Sequence, residues 1–208
     1  MKRLLESVLE FRRNDQATFR ERYAHLAQGQ SPSAMLLACA DSRLVSHLVA
    51  GYEPGELFVV RNAGNLAPRY EEAVADSSVA AAVAFGVEYL GIAHIVVCGH
   101  SSCGAMQALL NGRDQLDDPS LKAWLRHGDE ALERLRNAER EVTADTLARE
   151  NILLQMEHLR AHPPVQKHGV RVHGLYFELH SAEIYVYDPA AATFVVLDES
   201  QVQRLTES

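Results

Sequence analysis

The chain has 208 residues, 47% of them hydrophobic and 23% charged, which suits one globular domain that buries roughly 70% of its unfolded surface without a disulfide or metal merely to fold. Acids outnumber bases 28 to 20, for a net charge of -8, and no Lys/Arg-dense stretch exceeds the Lys2-Arg3 and Arg12-Arg13 pairs. This composition argues against an extended nucleic-acid footprint and an electrostatic membrane anchor. No apolar run approaches the roughly 20 residues of a bilayer span, and acidic and basic residues break the N-terminal segment too early for a secretory signal. Three cysteines at irregular spacing do not form a disulfide framework, leave metal or nucleophilic chemistry open, and fit a cytoplasmic protein.

Leu4, Leu5, Val8, Leu9 and Phe11 recur at helical spacing, so residues 2–13 read as an amphipathic helix. A second helix is expected from Gln16 to Leu26, capped by Asn14 or Asp15. These two helices (an N-terminal arm over residues 1–27) either pack on their own core or lie as an arm over a partner; the residues slightly favour the first. A loop at 28–33 leads to Ala34-Met35-Leu36-Leu37-Ala38-Cys39, a short uncharged run suited to a strand buried on both faces. Further strands are expected at 57–60, 92–98 and 170–177. An alanine-rich helix at 76–90 precedes the third strand. A helix at 143–161, stopped by Pro163-Pro164, precedes the fourth. Segments 183–187 and 193–197 alternate like antiparallel strands. The fold class is therefore α/β: a mostly parallel central sheet with flanking helices and an antiparallel C-terminal edge, in a single domain.

In such sheets ligands bind beyond the carboxyl ends of the strands. The first strand ends at Cys39, within Cys39-Ala40-Asp41-Ser42-Arg43, and the third runs into Gly99-His100-Ser101-Ser102-Cys103-Gly104. Thiolate and imidazole are preferred zinc donors, and three protein ligands leave a tetrahedral ion one open position, the pattern of a catalytic site. Asp41 beside such a site can accept a hydrogen bond from metal-bound water, and Arg43 can hold that carboxylate in a bidentate pair and keep it ionised. Alone, each of these residues reads as an ordinary core or surface residue; together, at two strand ends, they point to zinc.

Cys39-x-Asp41-x-Arg43 with His100-x-x-Cys103 resembles the β-class carbonic anhydrases. Glu53-Pro54-Gly55-Glu56-Leu57-Phe58-Val59-Val60-Arg61-Asn62 is similar to a further block of that family, and His173-Gly174 resembles its C-terminal region. The likeness extends over most of residues 1–197 and is closest to the bacterial, cyanase-associated branch. It implies one Zn2+ per chain and reversible hydration of carbon dioxide to bicarbonate and a proton by zinc-bound hydroxide. It also implies a homodimer or higher homo-oligomer. By the same resemblance Gln30 corresponds to a pocket-lining glutamine, and Phe58 and Phe85 correspond to pocket aromatics contributed partly by a second subunit. One branch of the family closes its site by moving the aspartate onto zinc and carries a Trp/Arg/Tyr bicarbonate pocket. Here Arg61 matches the arginine, but Leu36 and Phe177 stand at the other two positions, so an open site is expected, with Asp41 a zinc ligand only on closure.

Cys98 reads as a buried small hydrophobe rather than a fourth ligand. The remaining histidines, His47 among them, lack ligand spacing, although any near the mouth could shuttle a proton. Trp124 reads as helix packing and the charged stretch 129–141 as a solvated helix face. Competing functions are hydrolysis of carbonyl sulfide or carbon disulfide on the same scaffold and a structural or storage zinc protein. A zinc nucleobase deaminase is disfavoured, because the chain has neither a His-x-Glu nor a Pro-Cys-x-x-Cys motif.

Overall fold

A computed structural model describes residues 1–44, 51–73 and 77–206. His47 and the start of the expected helix at residue 76 lie outside the described residues. Two compact units are present, Met1–Ser31 and Pro32–Ser208.

The first unit is a helical pair, α1 (Lys2–Asn14) and α2 (Gln16–Leu26). Phe11 and Phe19 meet with ring centroids 5.5 Å apart, and Phe19 also touches Tyr23. Neither helix buries a residue. Leu4, Leu5, Val8 and Leu9 form an exposed stripe. Helical spacing identifies this apolar face but not what covers it.

The second unit is built on a six-stranded sheet in the order β2-β1-β3-β4-β5-β6. Its strands are β1 (Ala34–Cys39), β2 (Leu57–Asn62), β3 (His94–His100), β4 (Arg171–Glu178), β5 (Glu183–Asp188) and β6 (Thr193–Val196). β2, β1, β3 and β4 are mutually parallel, while β5 and β6 add antiparallel neighbours. Every residue of β1 is buried, as its unbroken apolar run requires of a strand with a neighbour on each side. β3 begins two residues later than expected and continues through His100, because Gly99 and His100 still pair with Tyr176 and Phe177.

Helices α3 (Tyr70–Ala73) and α4 (Ser78–Ala84) follow β2, and α4 runs into a π-helical turn over Phe85–Tyr89. After β3 come α5 (Gly104–Leu110), α6 (Pro119–Leu125), α7 (Asp129–Asn137) and the long α8 (Ala144–Arg160). The charged stretch is only half a solvated face, since α7 buries Ala131, Leu132 and Leu135. Pro163-Pro164 follows the end of the expected helix at Arg160 and does more than mark that stop. It opens a short helix, α9 (Pro163–Lys167), because proline at the first helical position forfeits an N–H that has no intrahelical partner anyway. A final helix, α10 (Glu199–Thr206), was not legible from the apolar pattern.

α8 packs directly on β3 and β4. The close approach requires glycine: a Cβ at Gly174 would stand 2.7 Å from Met156 Sδ, and one at Gly99 would stand 3.0 Å from Ile152 Cδ1. The same helix carries a buried polar row that clamps the segment after β2. Asn151 Nδ2 donates to the Gly64 carbonyl, Gln155 Oε1 accepts the Ala67 N–H at 2.8 Å, and Gln155 Nε2 donates to the His127 carbonyl and to Asn151 Oδ1. One turn on, His158 Nδ1 donates to the Ala67 carbonyl and His162 Nε2 to the Pro68 carbonyl. Replacing fully buried Gln155 with leucine strands several of these groups without solvent. The expected loss is about 3 kcal/mol of unfolding free energy, or about 6–12 °C in the thermal midpoint, read by calorimetry on metal-loaded protein. A change under about 0.5 kcal/mol, the ordinary scatter of a neutral substitution, would show that the row does not hold this segment.

Candidate metal centre

The carboxyl ends of β1 and β3 bring Cys39 and His100 together, and the turn after β3 returns Cys103 to them. The donor atoms of these three buried residues all lie within 4.8 Å of one another, the metal-ligating cluster found among the described residues. Cys39 Sγ and Cys103 Sγ are 3.9 Å apart, and both thiols are free. A tetrahedral zinc ion with bonds of about 2.3 Å would hold two sulfurs about 3.8 Å apart. The His100 ring has no solvent exposure; its Nδ1 donates to the Ser101 carbonyl at 2.8 Å, while buried Nε2 has no hydrogen-bond partner. That bond fixes the tautomer that leaves a lone pair on Nε2, as a metal-binding imidazole needs. Sulfur spacing, tautomer and orphaned nitrogen all fit a bound divalent ion.

The protonation balance points the same way. A hydrogen bond from Cys103 pulls the Cys39 thiol down, helped by His100 and the backbone N–H groups of Asp41 and Gly64 and opposed by burial. Cys103 is driven upward, first by its hydrogen bond to Cys39 and then by burial and the neighbouring thiolate, while the N–H groups of Met106 and Ala105 pull the other way. Burial disfavours protonated His100, but the neighbouring Cys39 thiolate, the Ser101 carbonyl and Asp41 outweigh it and push the imidazole up. Three donors crowded around few protons are a setting in which a divalent cation replaces those protons.

Asp41 stands beside the cluster, its Oδ2 3.8 Å from His100 Nε2. Arg43 grips the carboxylate from the other side: Nε and the backbone N–H reach Oδ1 at 2.9 Å each, and Nη2 reaches Oδ2 at 2.7 Å. These bonds hold the Asp41 carboxyl well below the usual carboxylate range despite some burial. Arg43 Nη2 also donates to the Ser102 carbonyl.

Arg61 was read from the sequence only through the Trp/Arg/Tyr comparison. It instead staples the segment after β1, donating to the carbonyls of Cys39, Asp41 and Leu44. Asn62 beside it closes a two-way clasp on Leu66. Trp124 packs in α6 and also donates to the Ala63 carbonyl. Cys98 is buried and stays out of the cluster, its thiol pushed up to about 12 by desolvation. His158 and His162 are structural clamps, and His94 with its hydrogen-bonded neighbour His173 lies toward the opposite end of the sheet from His100.

Gln30 is exposed and belongs to the N-terminal unit. Phe58 pairs with Met35, four residues before Cys39, which puts it about 13 Å back along the sheet. Its ring meets that of Phe85 at 6.1 Å, and Phe85 stacks on Tyr89. Val59, Phe85 and Tyr89 are exposed, next to the unpaired edge of β2.

Comparison with known proteins agrees with the site. The family model described as carbonic anhydrase matches residues 34–184. A carbonic anhydrase of Pseudomonas aeruginosa is 38% identical across 96% of this chain and 93% of its own length. Carbonic anhydrase 1 of Escherichia coli O157:H7 is 35% identical across 95% and 92%. Among solved structures, the β-carbonic anhydrase CcaA superposes with a TM-score of 0.86 at 33% identity, covering 96% of this chain and 92% of that one. The Coccomyxa β-carbonic anhydrase in complex with acetazolamide gives a TM-score of 0.75 at 26% identity, covering 99% and 96%. A three-donor metal cluster at the strand ends, an Asp–Arg pair beside it and matches running nearly the full chain lead to one conclusion: the chain belongs to the β-class carbonic anhydrase family.

Proposed function

We propose that this chain catalyses the reversible hydration of carbon dioxide to bicarbonate and a proton, with one zinc ion held by Cys39, His100 and Cys103. The observation that carries the reading is a cluster of three metal donors whose neighbouring carboxylate is tied back to an arginine. When bound, zinc supplies the Lewis acidity that makes water ionisable at moderate pH. Two thiolate donors cancel much of the ion's charge, so this Lewis acidity is weaker than that of an all-histidine site.

Asp41 accepts a hydrogen bond from the attacking water and aims its lone pair at the substrate carbon. Arg43 keeps that carboxylate ionised and in place. Gln30 steadies a substrate oxygen through its amide. Phe58 and Phe85 line the apolar approach for carbon dioxide at the site of a second subunit, a reading supported by their distance from the cluster of their own chain and by the exposed apolar surface at the β2 edge. The same surface and the exposed stripe of α1 support a homodimer or higher homo-oligomer; two related enzymes from Sordaria macrospora are described as tetrameric. Residues 1–27 are then an arm of a single functional domain. Three free, buried cysteines support a cytoplasmic setting. Turnover of carbonyl sulfide or carbon disulfide finds no support in the relatives named above, all of which are carbonic anhydrases.

Stopped-flow hydration of carbon dioxide on zinc-quantified protein tests the reading across pH. Activity should rise toward alkaline pH. Asp41 does not produce that rise: its folded pKa is depressed, so it is ionised throughout, and its contribution to stability is complete above about pH 4 and lost only as pH falls below it. A profile flat from acid to pH 9 contradicts the weak Lewis acid. No hydration even at alkaline pH, with zinc fully loaded, overturns the function in favour of a structural metal site.

A further inference from the structure

Asp145 stands on the first turn of α8, forty-three residues beyond the turn that carries His100 and Cys103. Its Oδ1 accepts the Ser102 backbone N–H at 2.6 Å. Ser102 lies between two metal donors and has φ 53°, a left-handed conformation that costs a non-glycine residue about 1 kcal/mol and so must be held. Its other neighbour Ser101 is stitched to β4, with its N–H on the Phe177 carbonyl and its Oγ accepting the Leu179 N–H. The Ser102 carbonyl accepts Arg43 Nη2 at 3.1 Å, and the same nitrogen donates to Asp41 Oδ2. Ser102 is thus held through its N–H by Asp145, and through its carbonyl it holds Arg43.

An ordinary explanation for Asp145 is that an acid favours the start of a helix. Two facts exceed it. Thr143 already caps α8, in a reciprocal pair with Thr146. The Asp145 carboxylate is instead spent on a distant backbone N–H in the metal-bearing turn.

We propose that Asp145 is a positioning residue for the hydration reaction: by holding the Ser102 N–H it fixes the carbonyl that, together with Asp41, sets the plane of the Arg43 guanidinium and so the aim of the Asp41 carboxylate. This inference rests on the reading of Asp41 and Arg43 given above. The required property is an acceptor oxygen at one place, not a negative charge, and that separates it from a helix-dipole effect.

The test measures kcat/KM for carbon dioxide hydration on zinc-quantified Asp145→Ala, Asp145→Asn and Asp145→Glu, with Asp145→Ala also made in an Arg43→Met background. Asp145→Ala should fall about 10-fold, since misplacement of a reacting group by a fraction of an ångström costs rate on this scale. Its zinc content should be unchanged. Asp145→Asn keeps the acceptor and should recover to within about threefold of the wild type; Asp145→Glu keeps the charge but moves the oxygen and should fall like alanine. With Arg43 already replaced, Asp145→Ala should cost less than about twofold, because two residues acting along one path are not additive. The proposal is overturned if Asp145→Ala retains full activity, if its activity falls only in proportion to lost zinc, if asparagine is as poor as alanine, or if the loss persists without Arg43. If Asp145→Ala does not fold, the asparagine and glutamate variants carry the same decision. An inactive, zinc-loaded wild type would instead remove the underlying function.

Discussion

Replacing Cys103 with serine is expected to abolish stoichiometric zinc binding and to lower carbon dioxide hydration by about 1,000-fold or more, the loss of several kcal/mol of Lewis-acid stabilisation. Cys103 comes from a turn, whereas Cys39 and His100 come from strand ends. Cys103 is 1% exposed, with its sulfur 3.9 Å from that of Cys39. A serine hydroxyl there is a harder and far less acidic donor, so the cluster becomes a two-ligand site with a neutral third group. The fold should survive, because this 208-residue chain draws its stability from the core between sheet and helices rather than from the ion. Elemental analysis and far-UV circular dichroism on the same sample check both halves. A variant with a full equivalent of zinc and normal turnover would show that Cys103 is not a ligand.

Asp41→Asn is expected to retain zinc and to lose about 100-fold in kcat/KM, at the lower end of what a positioned proton acceptor contributes. The asparagine amide has one acceptor and one donor end. Arg43 places two donors on Oδ1 and one on Oδ2, so the best arrangement keeps the amide oxygen at the Oδ1 position. The amide NH2 then takes the Oδ2 position, the atom 3.8 Å from His100 Nε2, and presents a donor where the reaction needs an acceptor. Stopped-flow assay of zinc-quantified variant checks this. Activity within about twofold of the wild type at full zinc occupancy, where each tenfold corresponds to 1.4 kcal/mol, would remove Asp41 from the chemistry.

Much of this site was legible because its chemistry is local in the chain. Cys39-x-Asp41-x-Arg43 and His100-x-x-Cys103 each sit at the end of an apolar run, and parallel strands deliver such ends to one edge. Arg61 and Asp145 were not legible in the same way. Each acts on backbone groups far away in sequence, Arg61 on the carbonyls after β1 and Asp145 on the Ser102 N–H, and a side chain that binds backbone leaves no partner residue to recognise. The α8 row of Asn151, Gln155 and His158 carried a signal that went unused: uncharged polar residues at helical spacing among the apolar residues of a helix mark a buried face that must find partners. Pro163-Pro164 marked the end of α8 correctly, and the short helix it opens was not legible because proline both ends and begins helices. The stripe of α1 was legible as an apolar face, but periodicity gives the direction of such a face without its destination.

Zinc-edge X-ray absorption on the protein as purified tests the central claim most directly. The account predicts one zinc per chain, two sulfurs at about 2.3 Å, one imidazole nitrogen at about 2.0–2.1 Å and one further light-atom ligand. A preparation that is folded yet free of zinc, or a shell with three or more sulfurs, would contradict it.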